Sequence, residues 1–246
     1  MKTAFFILVL MVSKLGSSQT AREVMVKMDE KMRGNTSEAT ILIRTVRPSW
    51  NREMRVKTWA KGLDYSMIYV ASPQKDKGIV YLKRKNEVWN WMPSIEKIIK
   101  LPPSMMSQSW MGTDFSNDDL VKESSIVNDY THVFSGDTVI DNRKCWLINL
   151  TPKPEAAVVW GKLVVAVDKT DFVELHVRFY DEDGELVSTM NGYDVKMMDG
   201  RIIPTKFYMV PADKKNQRTE MIYEKITFNK PIADGFFTTE QMKSVN

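Results

Sequence analysis

Between positions 52 and 61 the side chains alternate, with Met54, Val56, Thr58 and Ala60 on one parity and Glu53, Arg55, Lys57 and Lys61 on the other. A period of two cannot form one face of a helix, but a strand with one dry and one wet face requires it. Trp59 is the exception, an aromatic ring among the charges. Residues 40–47 are rich in β-branched types, and Pro48-Ser49-Trp50-Asn51 turns the chain between the two runs. Further strands are expected at 65–71, 78–83 and 87–92, with Arg84-Lys85-Asn86 as a turn. From Tyr130 onward they return at 131–134, 144–150, 161–167, 173–180, 185–190, 193–198, 201–210 and 218–228. Asp183-Gly184 and Asp199-Gly200 supply the positive φ values of tight hairpins, and 212–216 is a longer polar turn. The pattern is that of a long antiparallel meander.

Two stretches break the rhythm. At 21–32 the apolar residues Ala21, Val24, Met25, Met28 and Met32 recur at three- and four-residue spacing, which predicts a helix ended by Gly34-Asn35. Between Pro93 and Asp119, Ile95, Ile98, Ile99 and Leu101 precede Pro102-Pro103 and a Met-rich segment, 104–112. That stretch is too long for a hairpin loop and too apolar for a solvated one. It reads as one or two short helices covering part of a sheet face. Near the end, Thr238 is placed to cap a short terminal helix.

The first 18 residues carry Lys2, an apolar stretch from Ala4 to Val12, and small residues at Gly16 and Ser18. This has the form of a cleavable signal peptide, too short to span a membrane. Cleavage after Ser18 leaves one domain, 19–246, with no linker or internal repeat. No cysteine stands at the cleavage point, so a lipid anchor there is not expected. The lone Cys145, in a strand, reads as a small core residue.

Catalytic chemistry finds no footing in the sequence. His132 and His176 each lie in an expected strand with no carboxylate or second histidine at ligand spacing. The acidic run 181–185 lacks the spacing of a calcium loop. No phosphate-binding glycine loop or nucleophile elbow is present, so neither an enzyme, a cofactor nor a metal is expected. The formal charge is +4, but 13 Lys and Arg against 5 Asp and Glu fall within residues 41–100. Most of these alternate on a solvated strand face, which argues against nucleic acid as a partner.

Seventeen methionines and seven tryptophans are the more telling excess. Trp89 and Trp91 share one face of one strand, and Trp59, Tyr65, Met67, Tyr69, Met105, Met106, Trp110 and Met111 fall in the same third of the chain. Such a surplus suits either a core or the wall of an apolar groove in a curved sheet.

The segment MRVKTWAKGLDYSMIYVASPQKDKGIVYLKRKNEVWNWMP, the irregular IEKIIKLPPSMM that follows, and the closing ITFNKPIADGFFTTEQM resemble the LolA-like outer-membrane lipoprotein-sorting proteins. The resemblance implies an incomplete, half-open antiparallel β-barrel covered by short helices. It also implies a non-enzymatic periplasmic carrier that holds lipoprotein acyl chains or other lipid and exchanges them with a membrane-bound donor or acceptor protein. The implied groove residues are Trp59, Tyr65, Met67, Tyr69, Trp89, Trp91, Ile98, Met105, Met106 and Trp110, with Ile98, Met105 and Met106 in the lid. The family's Arg-Pro pair after the second strand is Lys61-Gly62 here, so its lid contact does not carry over. A second reading, from another class, is an accessory or sensor protein that uses the basic stretch to contact a membrane transporter or signalling partner.

Overall fold

The computed structural model describes residues 19–122 and 125–245. The expected signal peptide lies outside the described residues. The helix α1, Ala21–Arg33, starts at a capping box: Glu23 N–H donates to Thr20 Oγ1 (3.2 Å) and Thr20 N–H to Glu23 Oε2 (2.8 Å). It ends at Gly34, whose φ of 64° suits a residue without Cβ. Ala21, Val24, Met25 and Met28 form its buried stripe.

Thirteen strands form one antiparallel sheet. The first six are β1 (Thr36–Val46), β2 (Asn51–Lys61), β3 (Tyr65–Ser72), β4 (Val80–Arg84), β5 (Glu87–Met92) and β6 (Lys97–Lys100). After a long connection come β7 (Tyr130–Ile140), β8 (Arg143–Pro152), β9 (Lys162–Asp168), β10 (Glu174–Tyr180), β11 (Leu186–Met198), β12 (Arg201–Pro211) and β13 (Arg218–Phe228). The order across the sheet is β6-β5-β4-β3-β2-β1-β13-β12-β11-β10-β9-β8-β7. Two meanders are therefore joined at their β1 and β13 strands, and β6 and β7 form the two edges. The sheet does not close into a barrel, as expected of a half-open one.

Register fixes the two faces. Thr58 is opposite Ile68, which is opposite Tyr81, which is opposite Asn90. This inner face also carries Met54, Val56, Ile41 and Ile43 and is covered by α1 and by the β6–β7 connection. Trp59 is opposite Met67, then Leu82, then Trp89, and these point the other way. Over that outer face runs the segment after β13. Phe237 and Met242 pack there on Met67, Tyr69, Val80 and Leu82, with the Phe237 ring stacked 5.5 Å from Tyr65. Lys61 ties the segment down by an ion pair with Asp234 and a bond to the carbonyl of Ile232.

The β6–β7 connection departs from the sequence reading in one place. Residues 97–100 are an edge strand rather than part of a helical cover, because Ile98 pairs with Trp91 and its neighbours continue the alternation. Beyond it the cover consists of single turns, Pro103–Met105 and Trp110–Gly112, and a π-helical turn, Asp118–Lys122. The terminal turn Gln241–Lys243 starts from Glu240 without a side-chain cap, and Thr238 acts just ahead of it, accepting from Gln241 N–H at 3.2 Å.

Phe237 is fully buried between tail and sheet. Phe237→Ala should destabilise the fold by about 3–5 kcal/mol, as for other buried phenylalanines, read as a lower denaturant midpoint with red-shifted tryptophan emission.

Candidate functional site: the cavity beneath the cover

A β1–β13 seam puts consecutive strands β6 and β7 at opposite edges, so the chain between them must cross the inner face. It does so as a lid. Trp110 is its wedge, fully buried, with its ring 5.7 Å from Tyr81 of β4. A hairpin-like closure holds the wedge: Trp110 N–H donates to the Phe115 carbonyl (2.8 Å), and Ser109 bridges Ser116.

Two arginines on the β1–β2 corner hold the lid to the sheet. Arg47 makes a two-pronged pair with Asp114, both contacts at 2.9 Å, and Asp114 also accepts from Thr219 Oγ1 at 2.7 Å. Arg52 donates to the carbonyl of Met111 (2.9 Å) while pairing with Asp76 (2.7 Å). Met111 sits at φ 49°, a conformation that costs a residue with Cβ roughly 1 kcal/mol. Arg47 and Asp114 are both largely buried, which makes the pair sensitive to loss of either partner.

Between lid, α1 and sheet lies a cavity of about 320 Å³. Met28 and Met32 of α1, Ile41, Val56, Val177 and Met209 of the sheet supply much of its wall, and Trp110 and Phe115 its roof. Polar groups are few. Asp119 accepts from Trp160 Nε1 (2.9 Å) and Ser116 N–H (2.8 Å); burial outweighs these bonds and pushes its carboxyl up. Glu174, at the start of β10, is pushed up to about 7, first by burial and then by the charge of Asp29. The Nε1 of Trp110 has no hydrogen-bond partner among the described residues.

The residues singled out from the sequence divide between the two faces. Met105, Met106 and Trp110 are in the lid and pack on the inner face. Tyr65, Tyr69, Trp89, Trp91 and Ile98 lie on the outer face under the C-terminal segment. Trp59 and Met67 border the cavity, but their side chains join that outer cluster, the Trp59 ring lying 5.3 Å from Phe236. The ten residues thus form no single groove. The sequence reading passed over Glu174 and Phe115 and took the methionines of α1 only as the apolar face of a helix. The even positions of β2, Val56 and Thr58, were the usable signal, because they had to face whatever the lid covers.

Other candidates have structural roles. His132 Nε2 lies 2.7 Å from the Ile126 carbonyl, and His176 Nδ1 lies 2.8 Å from Asn191 Oδ1. Asp181 accepts from the Asp183 and Glu185 N–H groups and so shapes its hairpin. Cys145 is fully buried beside Ala166, Val173 and Leu175. Much of the basic stretch is paired: Arg44 with Glu53 and Glu220, Arg55 with Glu224, Lys100 with Glu87.

A family model described as "-like: Uncharacterized protein" matches residues 62–244. The chain belongs to that family. Its fold is LolA-like. A LolA superfamily protein from Nitrosomonas europaea superposes with a TM-score of 0.79 at 23% identity, over 91% of this chain and 100% of the other. A DUF1329 family protein from Desulfovibrio piger gives 0.82 at 20% identity, over 90% and 97%. A domain from Vibrio parahaemolyticus, described as a candidate outer membrane lipoprotein-sorting protein, gives 0.79 at 18% identity, over 91% and 98%. No curated protein matches the chain in sequence.

Two outcomes test this arrangement. Arg47→Met should destabilise the protein by on the order of 3 kcal/mol, because Asp114 is left buried without its cation, and should speed amide exchange across 109–117. Glu174 carries the pH signature. Its folded pKa is raised, so the folded state binds the proton more tightly, and stability is fullest below about 4.5 and declines as pH rises through about 7. Asp119 acts in the same direction, while His132, pushed down by burial, lowers stability only on the acid side. Denaturant midpoints should therefore fall between about pH 5 and about pH 8, less so in Glu174→Gln.

Proposed function

We propose that this chain is a non-enzymatic carrier that receives an apolar chain of its cargo, a lipidated protein or free lipid, into the cavity between sheet and lid. The observation that carries the reading is a largely apolar, partly open cavity beneath a cover that two arginines pin at one corner and a few hydrogen bonds, such as Asp119 to Trp160, hold elsewhere. Its volume lies at the lower end of the roughly 300–1,000 Å³ of small-molecule sites, enough for one chain of moderate length. Each methylene moved from water into such a wall contributes about 0.8 kcal/mol. Methionines at the α1 edge adapt to a flexible guest at little cost.

The signal-peptide pattern supports a place of work beyond the inner membrane, in the periplasm, and the lipoprotein-sorting description of one structural relative supports the class of cargo. A membrane-bound donor and acceptor complete the proposal, since an enclosed chain must be loaded and unloaded.

A fluorescent acyl probe tests the assignment. Thr58 is a small residue on the inner face, in the cavity wall, and Thr58→Trp should fill the space and weaken probe binding at least about tenfold, a loss of about 1.4 kcal/mol. Trp89→Ala, on the outer face, should leave affinity within about twofold. The reverse result would place the cargo under the C-terminal segment instead.

A further inference from the structure

The cavity wall is mostly apolar, and its exceptions decide what it can hold. Among the described residues its charged members are Asp29 and Arg33 on α1, Asp118 and Asp119 on the π-helical turn, and Glu174 on β10. Arg33 Nη2 lies 3.1 Å from Asp29 Oδ1. Asp119 is held by Trp160 and Ser116, and Asp118 has a partner as well. The phenols of the wall are engaged too: Tyr130 donates to the Trp160 carbonyl at 3.4 Å, and Tyr223 is partnered.

Glu174 differs from all of these. It makes no hydrogen bond or ion pair with any described residue, and it lies on the inner face where the β9–β10 register slips, between Glu174 and His176. Its neighbours across and along the strands are Val167, Val165 and Val177. An unpaired carboxyl in such a wall is unfavourable as an anion and is relieved by a proton or by a cation. The one cation of the wall, Arg33, is already committed to Asp29. A ligand that brings a cation into the cavity supplies the partner that the wall does not.

We propose that the cavity's cargo carries a protonated amine at the head of its apolar chain, and that Glu174 seats the amine. This rests on the carrier reading and narrows it. An ammonium group would give Glu174 a charge-assisted hydrogen bond while the chain fills the apolar remainder. A fatty acid would bring a second anion beside Glu174, and an alcohol would leave the carboxylate without a counter-charge. Burial already holds Glu174 near about 7, so its ionised form is available at neutrality and is drawn out further by a bound cation.

The test compares dodecylamine, dodecanol and dodecanoic acid by calorimetry, below their aggregation limits, on the full protein. The amine should bind at least about tenfold more tightly than the alcohol, and Glu174→Gln should abolish that preference while leaving the alcohol within about twofold. Glu174→Asp should retain part of it. Amine affinity should fall as the pH is lowered through about 7, where Glu174 takes up its proton and the amine stays charged. Equal binding of amine and alcohol, or a preference that survives Glu174→Gln, overturns the amine assignment and leaves the carrier reading standing. Binding of none of the three overturns both.

Discussion

The pairing of β1 with β13 is the constraint on which the rest of the molecule depends. It runs from Ser37 opposite Phe228 to Val46 opposite Arg218 with one irregularity after Thr40. Each meander grows outward from this seam, so the last strand of the first and the first strand of the second finish at opposite margins. The chain cannot join them except by crossing the sheet. A cover over the concave face is thus a product of topology, and the sequence of the crossing segment need only be apolar enough to stay there. The helix α1 enters at the centre of the sheet and covers the remainder of the same face.

The two halves of the sheet are buried differently, and this explains where the aromatics went. In β3 the residues Ser66 to Val70 are all buried, because lid and C-terminal segment press on it from opposite sides. A strand covered twice reads as a continuous apolar run and does not announce which parity faces which layer. By contrast, the outer face of β7 is open, and Val133 is 64% exposed. The polar fixings follow the same division. Arg47 and Arg52 act on the lid, and Lys61 acts on the tail behind it.

The alternation of β2 and the three-four spacing of α1 made strands and helix readable from residues alone, since both patterns report burial on one side only, while the half-open sheet came from the family resemblance. That Trp89 and Trp91 share one face was also legible, and register adds Trp59, Tyr65 and Met67 to it. Which face it was could not be read, because that depends on the path of a tail more than 130 residues later. The continuation of β7 to Ile140 was hidden for a local reason. Its turn uses Asp141 and Asn142 at φ 48° and 62° without any glycine. Glu174 looked like one more charged strand residue, and only the register slip beside it turns it inward.

The seam between β1 and β13 has a further consequence for biogenesis. Ile41 must wait for Tyr223 before the centre of the sheet exists, so the core cannot be completed while the last strands are still unmade or still withheld. Contacts so distant along the chain form slowly. Until that pairing forms, β1 and β13 each present an unpaired strand edge, which can pair with a second copy of the chain as readily as with its own partner.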